Sequence, residues 1–235
     1  MKISTLTIFI LILIFGCNAS SEVEIHWDEP FKNGIDENWK ILNGDAPFKF
    51  IDQTVVAYAK VNTKNTFLAS KKEYADFILE LDVKVDTRIN SGIQIRSHSK
   101  SDYRDGVVHG YQVEIDPSDR AWSGGIYEEQ KRGWINNLED NPKGSAAFKN
   151  GDWNRYRIQA IQDTIRVWVN GVNTSNTVDD EETSGFIALQ MHTIGDSSLT
   201  DATVQWKNIK IAEEGLDKIK SAVSSNIPYK RYQKK

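Results

Sequence analysis

Phe77-Ile78-Leu79-Glu80-Leu81-Asp82-Val83-Lys84-Val85, within the longer run Ala75 to Asp86, alternates apolar and polar residues almost without a break. Phe77, Leu79, Leu81, Val83 and Val85 fall on one side of an extended chain, and Ile78, Glu80, Asp82 and Lys84 on the other. A helix would spread those five apolar side chains around its circumference. Period two therefore decides for a strand with one buried face.

Shorter runs of the same kind lie on both sides. Upstream, Trp27 to Gly34 with Trp39-Lys40-Ile41 predicts an opening edge strand, followed by Thr54 to Lys60 and Thr66 to Ala69. Downstream come Gly92 to His98, Gly110 to Asp116, Ser123 to Glu128, Arg155 to Gln162, Ile165 to Val169, Gly185 to His192 and Thr203 to Ile211. Pro117 stops the second of these, because proline cannot continue a central ladder. Asn170-Gly171 is a hairpin signal. Glu129 to Asn150, rich in Asn, Gly, Lys and Pro, reads as a long loop. No helical period is sustained before Ala212. Many short strands with regular turn signals predict an all-β fold, a two-sheet antiparallel sandwich with a short C-terminal tail. In that tail Leu216, Ile219, Lys220 and Val223 allow one short amphipathic helix. Lys230, Arg231, Lys234 and Lys235 make a basic end that reads as solvated.

The 235 residues suit one large β domain, and a net charge of −4 with no basic stripe argues against a nucleic-acid partner. The N-terminus reads as a targeting segment. Lys2 precedes an apolar run, Leu6 to Phe15, too short to span a bilayer. It ends in Ile14-Phe15-Gly16-Cys17 and then turns polar, which resembles a bacterial lipoprotein signal with Cys17 as the lipidated residue. Cys17 is the single cysteine, so a disulfide framework is excluded. The predicted division is a signal peptide (1–16), a tether (17–24), a β domain (25–212) and a basic tail (213–235). The expected protein is exported to the cell envelope, periplasm or outer membrane, and touches the membrane through its lipid.

Parity locates a candidate site. Gln94, Arg96 and His98 oppose Ile93 and Ile95; Gln112, Glu114 and Asp116 oppose Tyr111, Val113 and Ile115; Gln190 and His192 oppose Ile187, Leu189 and Met191. Three strands thus repeat an aliphatic face for the core and an opposite face of amides, acids, Arg and His. Such a face suits a sugar, whose hydroxyls are satisfied by amides and carboxylates while an aromatic such as Trp134 or Trp168 covers its apolar side. Tyr127 and Glu128, at the end of the next strand, join the candidates. Burial of Glu114 beside Asp116 would raise one of their pKa values and make a proton-transferring pair. Acids with amide oxygens also suit calcium or another divalent cation, although no metal motif of defined spacing occurs.

Asn90-Ser91-Gly92-Ile93-Gln94-Ile95-Arg96, Gly110 to Ile115, Gly125-Ile126-Tyr127, Trp153-Asn154, Ile165 to Gly171, Gly185 to His192 and Val204 to Ile211 follow one another in an order that resembles the 3-keto-disaccharide hydrolase family. The resemblance covers about residues 25 to 212. It implies a concanavalin A-like jelly roll acting on glycosides already oxidised at sugar carbon 3. No cofactor is expected to be required. A C3 ketone acidifies the C2 proton, so a base can start elimination of the aglycone, and water then adds. On that resemblance Glu114 or His98 would be the base, Arg96 would polarise the ketone, and His192 would protonate the leaving oxygen. Gln94, Gln112, Asp116, Tyr127, Glu128, Trp134, Trp168 and Gln190 would bind substrate. Two other readings stand beside it. One is a non-catalytic glycan-binding lipoprotein using the same face. The other is a laminarinase-type glucanase, from the spacing Glu114-x-Asp116-x-x-Asp119.

Overall fold

The computed structural model describes residues 25–216 and 227–232. The predicted signal peptide with Cys17, the predicted tether and most of the predicted tail helix lie outside the described residues. The described residues form fifteen strands: β1 (Trp39–Asn43), β2 (Phe48–Ile51), β3 (Thr54–Tyr58), β4 (Thr66–Tyr74), β5 (Phe77–Val85), β6 (Ser91–His98), β7 (His109–Ile115), β8 (Ile126–Glu129), β9 (Gly133–Asn136), β10 (Asn154–Ile161), β11 (Thr164–Val169), β12 (Val172–Val178), β13 (Gly185–Met191), β14 (Thr203–Ala212) and β15 (Lys230–Arg231). They form two sheets, β1-β4-β13-β6-β7-β8-β9 and β15-β12-β11-β10-β5-β14-β3-β2. This is the predicted two-sheet sandwich.

The interior is what period two promised. Phe77, Leu79, Leu81, Val83 and Val85 on β5 are buried in one cluster with Ile93, Ile95, Tyr111, Val113, Ile115, Ile187, Leu189 and Met191 of the other sheet. Trp206 is fully buried there and stacks on Phe48 with ring centroids 6.1 Å apart. Each such side chain removed from water contributes about 1.5–3 kcal/mol, so the sandwich stands without covalent staples.

Several predicted boundaries change. Trp27 to Gly34 is a turn with one isolated bridge, Asp28 to Ile211, and the opening strand is β1 alone; β2 and β12 are strands beyond those predicted. The loop predicted over Glu129 to Asn150 contains β9 and a short helix, α1 (Pro142–Ser145). Gln130 and Gly133, both at positive φ, reverse the chain so that Trp134 pairs with Tyr127. A four-residue strand is too short to show a period. The basic end is not simply solvated either. β15 runs parallel to β12, with Lys230 3.0 Å from Asp140 and Arg231 3.7 Å from Asp163.

One irregularity rearranges the candidate site. Arg96 has φ 45°, and the β6–β7 register shifts between Ile95 and His98. Such a bulge flips every side chain beyond it to the other face. The neighbouring strands make room with glycine: a Cβ on Gly110 would meet the Ser97 Cα at 2.8 Å, and one on Gly185 the Arg96 carbonyl carbon at 2.5 Å. Ser97 consequently takes the polar face, and Arg96 turns toward the other sheet.

Candidate active site

The outer face of the seven-stranded sheet carries three glutamines, one each from β6, β7 and β13. Gln94 Nε2 and Gln190 Nε2 both donate to Gln112 Oε1, at 2.7 and 3.0 Å. Gln112 Nε2 then donates to Glu114 Oε2 at 2.9 Å. Accepting two N–H bonds fixes which way the Gln112 amide points, so its NH2 must face the carboxylate. Gly92 makes this possible. A Cβ there would come within 2.3 Å of Gln112 Cδ, so the amide side chain lies over the glycine to reach Glu114. Gln190 Oε1 is buried with no partner.

Glu114 is only 3% exposed. Burial pushes its carboxyl up to about 7, with Asp116 and Glu129 adding to the rise, while Gln112 and Arg120 oppose it. Asp116 is also buried but is tied down. Its Oδ1 accepts from the Ser118 N–H at 3.1 Å and its Oδ2 from Arg120 Nε at 2.7 Å. It caps the turn after β7 and holds Arg120. Arg120 Nη2 reaches 3.7 Å from Glu114 Oε1, and its guanidinium packs 4.8 Å from the Trp122 ring and 5.0 Å from the Trp134 ring. Trp134 meets Trp122 edge-on at 4.7 Å and Tyr127 at 5.3 Å. An aromatic corner with an arginine against it therefore borders Glu114.

A second acid lies further along β8. Tyr127 pairs with Gln112 and Glu129 with Gly110, so Tyr127 and Glu129 share the polar face. Burial raises the Glu129 carboxyl; bonds from Gln130 and Asn65 and the positive charge of His192 lower it in part. Asn65 is itself held by the Thr193 N–H at 2.9 Å. His192 Nδ1 donates to the Thr193 carbonyl at 2.7 Å, since a carbonyl can only accept, which leaves Nε2 free. The Tyr127 hydroxyl is pushed up by burial and by the charges of both Glu129 and Glu114.

Of the residues singled out from the sequence, the structure brings together Gln94, Gln112, Glu114, Asp116, Tyr127, Trp134, Gln190 and His192. It removes four candidates. Arg96 donates to the Ala75 and Gln162 carbonyls at 2.8 and 2.7 Å and pairs with Asp76, bracing the end of the sandwich rather than the site. His98, beyond the same bulge, donates from Nε2 to Glu182 at 3.0 Å. Glu128 pairs with Tyr111 in register and so points inward, fully buried, to Arg132 and Lys131. Trp168 sits on β11 in the opposite sheet, where a bulge follows Val167. Glu129, Asn65, Arg120 and Trp122 were missed. Only Glu129 left a signal, since it alternates with Tyr127 and extends that strand by one residue. Asp119 is exposed in the turn after β7, so the glucanase-like spacing does not place a second carboxyl on the strand. Among the described residues no group of three or more His, Cys, Asp or Glu side chains could hold a metal ion.

Several solved structures share this fold. The carbohydrate-binding module CBM66 from Bacillus subtilis superposes with a TM-score of 0.56 at 14% identity, over 75% of this chain and 96% of that one. The endo-beta-1,3-glucanase from Pyrococcus furiosus gives 0.56 at 12% identity, over 80% and 93%. A Bacillus subtilis protein with a galectin-like fold gives 0.54 at 10% identity, over 74% and 89%. These likenesses establish the jelly roll. No curated protein matches the sequence. Residues 26–212 match the 3-keto-alpha-glucoside-1,2-lyase-like domain family, and the chain belongs to it. It is a carbohydrate-active jelly-roll domain.

Proposed function

We propose that this protein cleaves glycosides whose sugar is oxidised at carbon 3, by elimination followed by hydration. The observation that carries the reading is Glu114, a buried carboxyl pushed up to about 7 at the end of a fixed amide chain. A base works best when its pKa lies near the operating pH. The Glu114 carboxylate takes the C2 proton, and the C–H electron pair moves into the ketone to form the enolate. The enolate then reforms the ketone, its C2=C3 pair becomes the C1=C2 double bond, and the C1–oxygen bond breaks with its electron pair on the departing aglycone oxygen. His192, as the imidazolium with its Nδ1–H held by the Thr193 carbonyl, donates the Nε2 proton to the leaving oxygen and returns to the neutral ring. Water added across the double bond completes a net hydrolysis. Gln94, Gln112 and Gln190 bind sugar hydroxyls, and the vacant Gln190 Oε1 is an acceptor for one of them. Trp134 with Tyr127 walls the ring. His98 and Arg96 have no part in this scheme.

The reaction as drawn uses no metal, so turnover is expected to survive a chelator. Export and lipid attachment at Cys17 belong to the same proposal, which makes the substrate one met in the cell envelope. The test is incubation with a 3-keto-glucoside and with the same glycoside unoxidised. Release of the aglycone from the ketone alone supports the reading. Binding without release, unchanged in Glu114→Gln, would instead make the protein a glycan-binding module. Release from an unoxidised β-glucan would revive the glucanase.

A further inference from the structure

The family resemblance offered Arg96 as the group that polarises the ketone, and the bulge in β6 takes it away. The site still contains a cation in the right place. We propose that Arg120 stabilises the enolate oxygen during C2 proton abstraction. This role rests on the elimination reading above.

The argument is geometric. A base on the C2 proton and a donor on the C3 oxygen serve neighbouring atoms of one ketone. Each must come within hydrogen-bond reach, roughly 3 Å, so the two catalytic groups themselves stand close together. Arg120 Nη2 lies 3.7 Å from Glu114 Oε1. That gap is too long for a tight ion pair and leaves the Nη2 donor for another acceptor. Arg120 is also preorganised, because Nε is bound by Asp116 at 2.7 Å while the guanidinium rests on Trp122 and Trp134. Its side chain is 41% exposed, so an incoming sugar can reach it, whereas Asp116 behind it is 3% exposed. Asp116 is then a positioning residue for the cation, and Trp134 both walls the ring and aims the donor. In the step itself the C2–H pair becomes the C2=C3 bond, the carbonyl pair moves to oxygen, Glu114 keeps the proton, and an Arg120 N–H donates to the new oxyanion. Collapse of the enolate returns that charge to the leaving group.

The test uses the full chain with Arg120→Ala and Arg120→Lys on a 3-keto-glucoside. Loss of an oxyanion donor is expected to lower kcat by about 10²–10³-fold with little change in KM. Millimolar guanidinium ion is expected to restore part of the Arg120→Ala rate and none of the Glu114→Gln rate. Melting curves of both variants check that the fold persists. A kcat within a few-fold of wild type, or a loss confined to KM, or no response to guanidinium, would overturn the proposal and leave Arg120 as a strap between Asp116 and the tryptophans. Should wild type release nothing from the ketone, the elimination reading fails first and this role falls with it.

Discussion

Burial of Glu114 has two consequences that one substitution separates. The folded carboxyl titrates near 7 and the unfolded one near the usual 4.5. Between those values the native state holds a proton that the unfolded chain has lost, so stability falls as pH rises through that window. The full cost above pH 7 is on the order of 3 kcal/mol. Glu114→Gln carries no charge to desolvate. It is expected to melt several degrees above wild type at pH 8 and to match it below pH 4.5, read from thermal melts across pH. The same variant is expected to lose aglycone release by about 10³-fold or more, because no base remains. In wild type, kcat/KM is expected to rise with pH through about 7. Asp116→Asn keeps one of the two acceptor oxygens, enough for the turn or for Arg120, and is expected to cost less activity than Glu114→Gln.

At the scale of the element, the β6 bulge explains what could and could not be read. Gln94, Gln112 and Gln190 were legible because each sits in a regular stretch where parity holds. Arg96 and His98 were misplaced because one residue at positive φ inverts parity, and nothing in Ile95-Arg96-Ser97 announces it; the glycines that accommodate it, Gly110 and Gly185, lie on other strands. Arg120 and Trp122 come from a turn without period and reach the site through tertiary packing alone. Arg96→Met leaves the Ala75 and Gln162 carbonyls without a donor, and is expected to destabilise by about 2–4 kcal/mol in denaturant melts. Its rate per folded molecule should match wild type, opposite to what a catalytic arginine would give. Gly92→Ala drives a methyl into the Gln112 amide 2.3 Å away. It is expected to lower turnover about 10- to 100-fold at a stability cost of about 1–3 kcal/mol, checked by kinetics and melts on one preparation.

For the whole molecule, two sheets bury their aliphatic faces on each other, and one outer face is left to carry chemistry. The fold was legible from the alternation in β5 and its shorter repeats, since period two reports burial directly. The proposed envelope address rests on a separate segment. Cys17→Ser is expected to abolish incorporation of labelled fatty acid and to release the protein from membranes while the purified domain keeps its activity. The chemistry is tested most directly by running the reaction on a 3-keto-glucoside in deuterium oxide and reading the sugar product by NMR. Elimination and hydration remove the C2 hydrogen and return one from solvent, so the product formed in the first turnovers should carry deuterium at C2. In a control lacking enzyme that incorporation should be far slower than the enzymatic turnover. A product released at the enzymatic rate with its C2 hydrogen intact would mean direct displacement at C1, and would contradict the role given to Glu114.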